Sequence, residues 1–324
     1  MSYNVLLIGS GGREHALAYK ISQSQNLSKF YALPGNPGIA KYAECISGGV
    51  NDFDLIKEVI KEREINMVVV GPEDPLVNGL RNYLFEDESL SELLFVGPDK
   101  AGAALEGSKD FAKAFMTKYD IPTAAYRSFS AGEIEDAVAF LKTLKPPYVL
   151  KADGLAAGKG VVVALTEKDA QDAITSFMED GKLGDAGKSL VIEEYLSGVE
   201  ISILSAVSVA PNDKCGCTYG DNVTIVPFVT ARDHKRLLDG AKGPNTGGMG
   251  AIAPVQDVTP EQLADFEKNI LQPTLKGMIE EKMDYRGFIF FGLMLTKNGP
   301  KLLEYNVRLG DPETQAVLPL MDFD

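Results

Sequence analysis

The first hundred residues alternate between short, wholly apolar runs and helical patterns, and this alternation limits the possible folds more than any other feature. Val5-Leu6-Leu7-Ile8, Met67-Val68-Val69-Val70 and Phe95-Val96 carry no polar break. Strands that are apolar on both faces belong in a sheet covered on both sides, which is the parallel, doubly wound arrangement. A helix is expected from Glu14. A second is expected after Asn51 or Asp52, both good N-caps, with Phe53, Ile56, Val59 and Ile60 at helical spacing. Two strands end alike, in Val70-Gly71-Pro72-Glu73-Asp74 and Val96-Gly97-Pro98-Asp99. Ligands of such sheets bind at the carboxyl ends of the strands, where these turns lie.

The pattern changes after about Leu105. A helix carrying Phe111, Ala112, Phe115 and Met116 stops near Ile121-Pro122. Ser130-x-x-Glu133 reads as a capping box for a helix with Ile134, Ala137 and Leu141. The strands Tyr148–Lys151 and Val161–Ala164 form a hairpin around a glycine loop, and a helix with Ala170, Ala173, Ile174 and Phe177 follows. This is a small α+β unit. From Leu190 the chain turns antiparallel. Val199–Val209 alternates, with Val199, Ile201, Ile203, Val207 and Val209 on one face and Glu200, Ser202 and Ser208 on the other, as in a half-buried strand. Thr259-Pro260 opens a helix.

With 324 residues, two or three domains are expected. A net charge of −14 argues against nucleic acid or an anionic membrane surface as the main partner, so positive charge for any phosphate must be gathered locally. No apolar run reaches membrane-spanning length and the first residues do not read as a signal peptide. Cys45, Cys215 and Cys217 give no disulfide framework, which fits a reducing cytosol. With only His15 and His234, a histidine metal centre or a Ser-His-Asp triad is poorly supported.

Five segments carry candidate chemistry. Gly9-Ser10-Gly11-Gly12-Arg13-Glu14-His15 joins a strand to a helix, where backbone N–H groups favour an anion. A dinucleotide fingerprint needs glycine where Glu14 stands, so a small phosphate or part of a substrate fits better, with a plain packing turn as the alternative. Lys151–Gly160 resembles a phosphate cradle. It is not a Walker loop, because Gly158-Lys159 is followed by Gly160 and a strand. It reads as a flap over a triphosphate, or as a hairpin with a solvated lysine. Glu193-Glu194-Tyr195-Leu196 ends a strand and could offer its backbone to a base edge, with Glu200 near a ribose; a surface turn serves equally. Asp233–Arg236 and Lys242–Gly250 make one glycine-rich loop region with local positive charge. In Leu302–Glu313, after the turn signal Asn298-Gly299, Glu304 and Asn306 project to one side of a strand and Leu303, Tyr305 and Val307 to the other. A carboxylate beside an amide oxygen suits a hard divalent cation, and Arg308 suits phosphate or carboxylate.

In this order the segments GSGGREHA, PGNPG, VVGPEDPL, VLKADGLAAGKGVVV, VIEEYLSGVE, DHKR, KGPNTGGMGA and LLEYNVRLGDPETQAVLPL resemble the phosphoribosylamine–glycine ligase family of ATP-grasp enzymes in purine biosynthesis. The resemblance implies a mixed α/β and α+β fold. An N-terminal doubly wound, pre-ATP-grasp domain would span residues 1–105 and a two-lobed ATP-grasp domain 106–324, its small flap lobe about 122–189 and its large lobe about 190–324. It implies a cytoplasmic, monomeric ligase acting on small molecules. ATP phosphorylates glycine, and 5-phosphoribosylamine attacks the glycyl phosphate. By resemblance Glu304 and Asn306 hold Mg²⁺ or Mn²⁺. Lys109, Lys151, Gly154, Gly158, Lys159 and Gly160 hold the ATP phosphates, and Glu193, Glu194, Tyr195, Leu196 and Glu200 hold adenosine. Arg308, Lys151 and Asp311 serve catalysis, with Gly310 at the glycine end. Gly11, Gly12, Arg13, Asn36, Glu73, Asp74, Asp233 and Lys235 contact phosphoribosylamine. The family continues past Asp324 in a further domain, so a truncated remnant that binds ATP without turnover is a rival reading. Another ATP-grasp carboxylate–amine ligase is a second rival, and a nicotinamide oxidoreductase on the first domain a third. Ala241, Ile252-Ala253, Arg232 and Val199 depart from the family's usual residues in the substrate loop and ribose strand.

Overall fold

The computed structural model describes residues 2–154, 160–178, 189–210, 223–240 and 242–323. The loop residues Gly158 and Lys159, with Ala241, Cys215 and Cys217, lie outside the described residues.

The N-terminal part has β1 (Tyr3–Gly9), α1 (Gly12–Ile21), β2 (Leu27–Pro34), β3 (Glu44–Cys45), α2 (Phe53–Glu62), β4 (Met67–Val70), α3 (Glu73–Val77), α4 (Leu80–Phe85), β5 (Leu94–Pro98) and α5 (Lys100–Gly107). All its strand pairs are parallel, in the order β3-β2-β1-β4-β5. Leu6 and Ile8 feed one core and Val5 and Leu7 another, so both faces are covered, as the unbroken apolar runs require. Asp52 caps α2 by accepting the Leu55 N–H at 3.2 Å.

After α6 (Lys109–Lys118) comes a lobe with its own core: β6 (Tyr126–Ser130), α7 (Ile134–Leu141), β7 (Tyr148–Ala152), β8 (Val161–Ala164), α8 (Glu167–Met178) and β9 (Ser189–Glu194). Its antiparallel sheet has the order β6-β9-β7-β8. The expected division at residue 190 therefore cuts through β9, which pairs with both β6 and β7. Glu133 accepts the Ser130 N–H at 2.7 Å, but this closes a turn ahead of the helix. The helix starts at Ile134, three residues later than a box capped by Ser130 would place it.

The remainder contributes β10 (Val199–Val209), β11 (Thr224–Asp233), β12 (Arg236–Leu238), β13 (Lys242–Asn245), β14 (Ala251–Ile252), α9 (Pro260–Phe266), α10 (Gln272–Glu280), β15 (Tyr285–Thr296), β16 (Gly299–Asn306) and α11 (Glu313–Val317). Thr259 caps α9, and Pro260 takes its first turn. The glycine-rich region read as loop contains the small β12–β13 hairpin. β10 is not half-buried. Ile201 and Ile203 join the large core while Ser202 and Leu204 are buried on the opposite face, because β10 lies centrally between β11 and β15.

The two sheets are one. β15 pairs antiparallel with β5 through Tyr285–Pro98 and Arg286–Gly97, and further along the same edge with β16 from Phe290 on. A Cβ at Gly287 would meet the Gly97 nitrogen at 2.8 Å, so only glycine allows this approach. β5 and β16, both antiparallel to β15, are thereby placed one after the other along a single edge of that strand.

Candidate active site

The cavity at this meeting point has a volume of about 220 Å³ and gathers residues from all three parts of the chain. The N-terminal part gives Glu73 and Glu106, α6 gives Lys109 and Lys113, and the small lobe gives Lys151, Gly154, Gly160 and Glu193. Leu303, Glu304, Asn306 and Arg308 come from β16 and the turn after it. A smaller space beside it is lined by Glu200, Ser202, Asp233, Lys235, Leu303 and Glu304.

β16 is irregular where it matters. Glu304 lies opposite Gly292, but Leu302 lies opposite Leu293, so Leu303 is an extra residue in the strand. The bulge corrects the expected alternation. Leu302 is fully buried in the core with Tyr305 and Val307, while Leu303 lines the cavity beside Glu304. The turn residues are Lys297 and Asn298, since Thr296 pairs with Gly299, which opens β16 with φ +99°.

Among the described residues the Glu304 carboxylate forms no ion pair or hydrogen bond. Burial alone would raise its carboxyl, but Lys235, Lys151, Lys109 and Arg308 outweigh burial and hold it below its ordinary value. An ionised, unshared carboxylate facing a cavity fits a hard divalent cation. Asn306 Oδ1 accepts from Arg308 Nη1 at 3.2 Å and keeps a second lone pair.

The lysines are held in fixed relations. Lys151 Nζ lies 2.9 Å and Lys113 Nζ 3.3 Å from the same oxygen of Glu193, and Lys151 also donates to the Leu303 carbonyl at 3.3 Å. Burial lowers Lys113 to about 8 against the pull of Glu193. Lys109 Nζ donates to the Gly154 carbonyl at 2.8 Å, joining α6 to the base of the glycine loop. Asp153 Oδ1 accepts the Lys109 backbone N–H at 2.5 Å, which fixes the start of α6. The described lining thus holds four basic side chains, Lys109, Lys113, Lys151 and Arg308, against four carboxylates, Glu73, Glu106, Glu193 and Glu304.

Arg308 is held on several sides. Nη2 lies 2.8 Å from Glu106 and Nε 3.2 Å from Glu73. Glu73 is pushed up by burial and pulled down further by Arg308, ending below its ordinary value. In the adjoining space Lys235 pairs with Glu200 at 3.2 Å. Burial, with Glu313 nearby, lifts the Asp233 carboxyl to about 6, and its Oδ1 is buried with no hydrogen-bond partner among the described residues.

The other candidates lie outside the large cavity. Glu194 pairs with Lys301 at 3.1 Å, Tyr195 is exposed, and Leu196 packs with Ala124, Met294 and Leu303. At the N-terminal turn Glu14 folds back, accepting the Gly11 N–H at 2.6 Å and the Arg13 Nε at 2.6 Å, so it takes up one of the donors an anion would need. Asn36 uses its oxygen on Gly38 and Ile39 and its nitrogen on Ser10, bracing that turn. Asp311 bonds Gln315 at 2.6 Å, and a Cβ at Gly11 would come 3.6 Å from it, so the end of the chain packs on the turn. Asp74 lies beside Glu73 in the first turn of α3, and Gly310 packs against Glu313. Of the unusual residues, Arg232 bonds Asp257 at 2.9 and 3.1 Å and the Glu200 carbonyl at 3.1 Å, while Val199 and Ile252 are exposed.

Sequence reasoning missed Glu106 and Lys113. Lys113 has one local signal, its i+4 spacing from Lys109 on one helix face.

Residues 3–106 match the family described as phosphoribosylglycinamide synthetase, N domain, and residues 107–314 its ATP-grasp (A) domain. The chain is 50% identical over 320 residues to the phosphoribosylamine–glycine ligase of Clostridium acetobutylicum, covering 99% of this chain and 72% of that protein. It is 46% identical over 315 residues to the protein of that name in Mesorhizobium japonicum, covering 97% of this chain and 69% of that one. The crystal structure of phosphoribosylamine–glycine ligase from Thermotoga maritima superposes with a TM-score of 0.79 at 33% identity, covering 98% of this chain and 72% of that one.

Proposed function

This chain belongs to the phosphoribosylglycinamide synthetase family, and we propose that it joins glycine to 5-phosphoribosylamine at the expense of ATP, giving glycinamide ribonucleotide, ADP and phosphate. It is an ATP-dependent carbon–nitrogen ligase of purine biosynthesis. The observation that carries the assignment to this cavity is the convergence of Lys109, Lys151, Glu304, Asn306 and Arg308 from separate parts of the chain on one space.

The physics supports the roles. The glycine carboxylate must approach a triphosphate, and two unit charges about 4 Å apart repel by roughly 4 kcal/mol at an effective dielectric near 20. Lys109 and Lys151 flank the Gly154 end of the loop, in place to neutralise phosphate oxygens. Glu304 and Asn306 would hold Mg²⁺ or Mn²⁺, which when bound supplies charge neutralisation of the transferring phosphoryl group. Arg308 orients the glycine carboxylate with its planar fork, and Gly310 and Asp311 follow it in the same turn. Glu200, Asp233 and Lys235 line the adjoining space, where the amine substrate would enter; Gly11, Gly12, Arg13, Asn36 and Asp74 would contact that substrate from the N-terminal part. The base edge would meet the backbone of Glu193–Leu196 beside the apolar Ala124, Leu196, Met294 and Leu303. Enclosure protects the acyl phosphate from water.

The same reading puts the work in the cytoplasm, in a monomer with no nucleic-acid or membrane partner. The net charge of −14 supports the absence of nucleic acid, and sedimentation checks the monomer. No helix among the described residues is long and apolar enough to cross a membrane. A phosphate-release assay tests the function. Release is expected only with ATP, Mg²⁺, glycine and phosphoribosylamine together; release that ignores omission of glycine would refute it.

A further inference from the structure

Arg308 has two carboxylate partners that differ in kind. Glu106, in the last turn of α5, is buried, with its side chain 6% exposed. One oxygen lies 2.8 Å from Arg308 Nη2 and the other accepts the Val307 N–H at 2.7 Å. It therefore grips the residue after Asn306 by its backbone and the next by its guanidinium. Glu73 touches Arg308 through one oxygen at 3.2 Å, and its side chain is 29% exposed at the open end of α3. Leaving a buried carboxylate uncompensated is costly, so Glu106 and Arg308 are bound to each other whatever else enters the cavity. Glu73, held through one oxygen and more exposed, is the weaker of the two partners.

We propose that Glu106 is a positioning residue for the ligase reaction. It fixes one edge of Arg308 permanently, so that the edge now facing Glu73 is presented to the incoming glycine carboxylate. The inference rests on the role given to Arg308 above. A carboxylate suits this task because it accepts at both oxygens; an amide in its place would turn an NH₂ group either on the Val307 N–H or on the guanidinium.

A double-mutant cycle on the whole chain tests this, using Glu106→Gln, Arg308→Met and the pair, with kcat, KM for glycine, ATP affinity and thermal melting read for each. Glu106→Gln is expected to lower kcat about ten- to a hundredfold, the usual cost of a misplaced reacting group, with ATP affinity unchanged. In the Arg308→Met background it should change kcat by less than about twofold. Independent, multiplicative losses would overturn the inference while leaving the role of Arg308 standing. An Arg308→Met variant at full rate would overturn both. If Glu106→Gln alone fails to fold, the pair decides: a folded pair matching Arg308→Met supports the inference, and an unfolded or slower pair overturns it.

Discussion

Gly292 lies directly opposite Glu304 across the β15–β16 pair, and a Cβ there would stand 3.1 Å from Glu304 Cγ. The missing side chain leaves the carboxylate room to face the cavity, next to the bulge that turns Leu303 the same way. Gly292→Val is therefore expected to displace Glu304 without unfolding the chain. Metal-dependent ATP binding should weaken roughly ten- to a hundredfold, as when other residues that orient a metal's ligands are lost. Titration calorimetry with Mg²⁺ reads this, and an unaltered affinity would show that Glu304 is not aimed by its neighbour.

Glu304→Gln keeps the shape and removes the charge that Lys235, Lys151, Lys109 and Arg308 hold ionised. The gain in ATP affinity on adding Mg²⁺ should disappear. Binding measured in a chelator should hold steady or improve, because a negative charge near the phosphates has gone. A Glu304→Gln protein that responds to Mg²⁺ like the wild type contradicts the metal assignment.

Lys113 gives a pH signature. Burial lowers its pKa from 10.5 to about 8 in the folded chain. Between those values the unfolded chain holds more protons, so stability rises with pH across this window. Below about 8 both states carry the charge and its burial penalty is fully present. Urea titrations of wild type and Lys113→Met should show the wild type gaining relative to the variant as pH climbs from 8 to 10. Parallel curves would mean that Lys113 sits in a wetter environment than its 2% exposure implies.

Asp233 should matter for the amine substrate alone. Burial and Glu313 lift its carboxyl to about 6, so it loses its charge below that pH. Asp233→Asn is expected to raise KM for phosphoribosylamine about tenfold or more, the worth of a charge-assisted hydrogen bond, with ATP affinity unchanged. The fall of wild-type kcat/KM for the amine below pH 6 should be missing from the variant. Equal effects on ATP and amine would place Asp233 elsewhere.

What could be read from the chain alone was what is written locally. The apolar runs at Val5–Ile8 and Met67–Val70 announce a covered parallel sheet, and Glu304, Asn306 and Arg308 follow one another in the sequence that holds them. What could not be read depends on partners far away. The bulge at Leu303 is set by register with β15, and the burial of both faces of β10 by its central place. The fusion of the two sheets rests on two residue pairs between β5 and β15, some 190 positions apart. Glu106 reads as an ordinary helical surface acid until Arg308 is brought to it from 202 positions away. Lys113, among Ala112, Phe115 and Met116, breaks an apolar face with a charge that Glu193 and the Thr123 hydroxyl explain.

The most direct test is a crystal structure with Mg²⁺ and a non-hydrolysable ATP analogue. The account predicts the triphosphate between Lys109 and Lys151, with the metal bridging it to the carboxylate of Glu304. A triphosphate seated at the Gly9–His15 turn, or anywhere that leaves Glu304 without a metal, would contradict it.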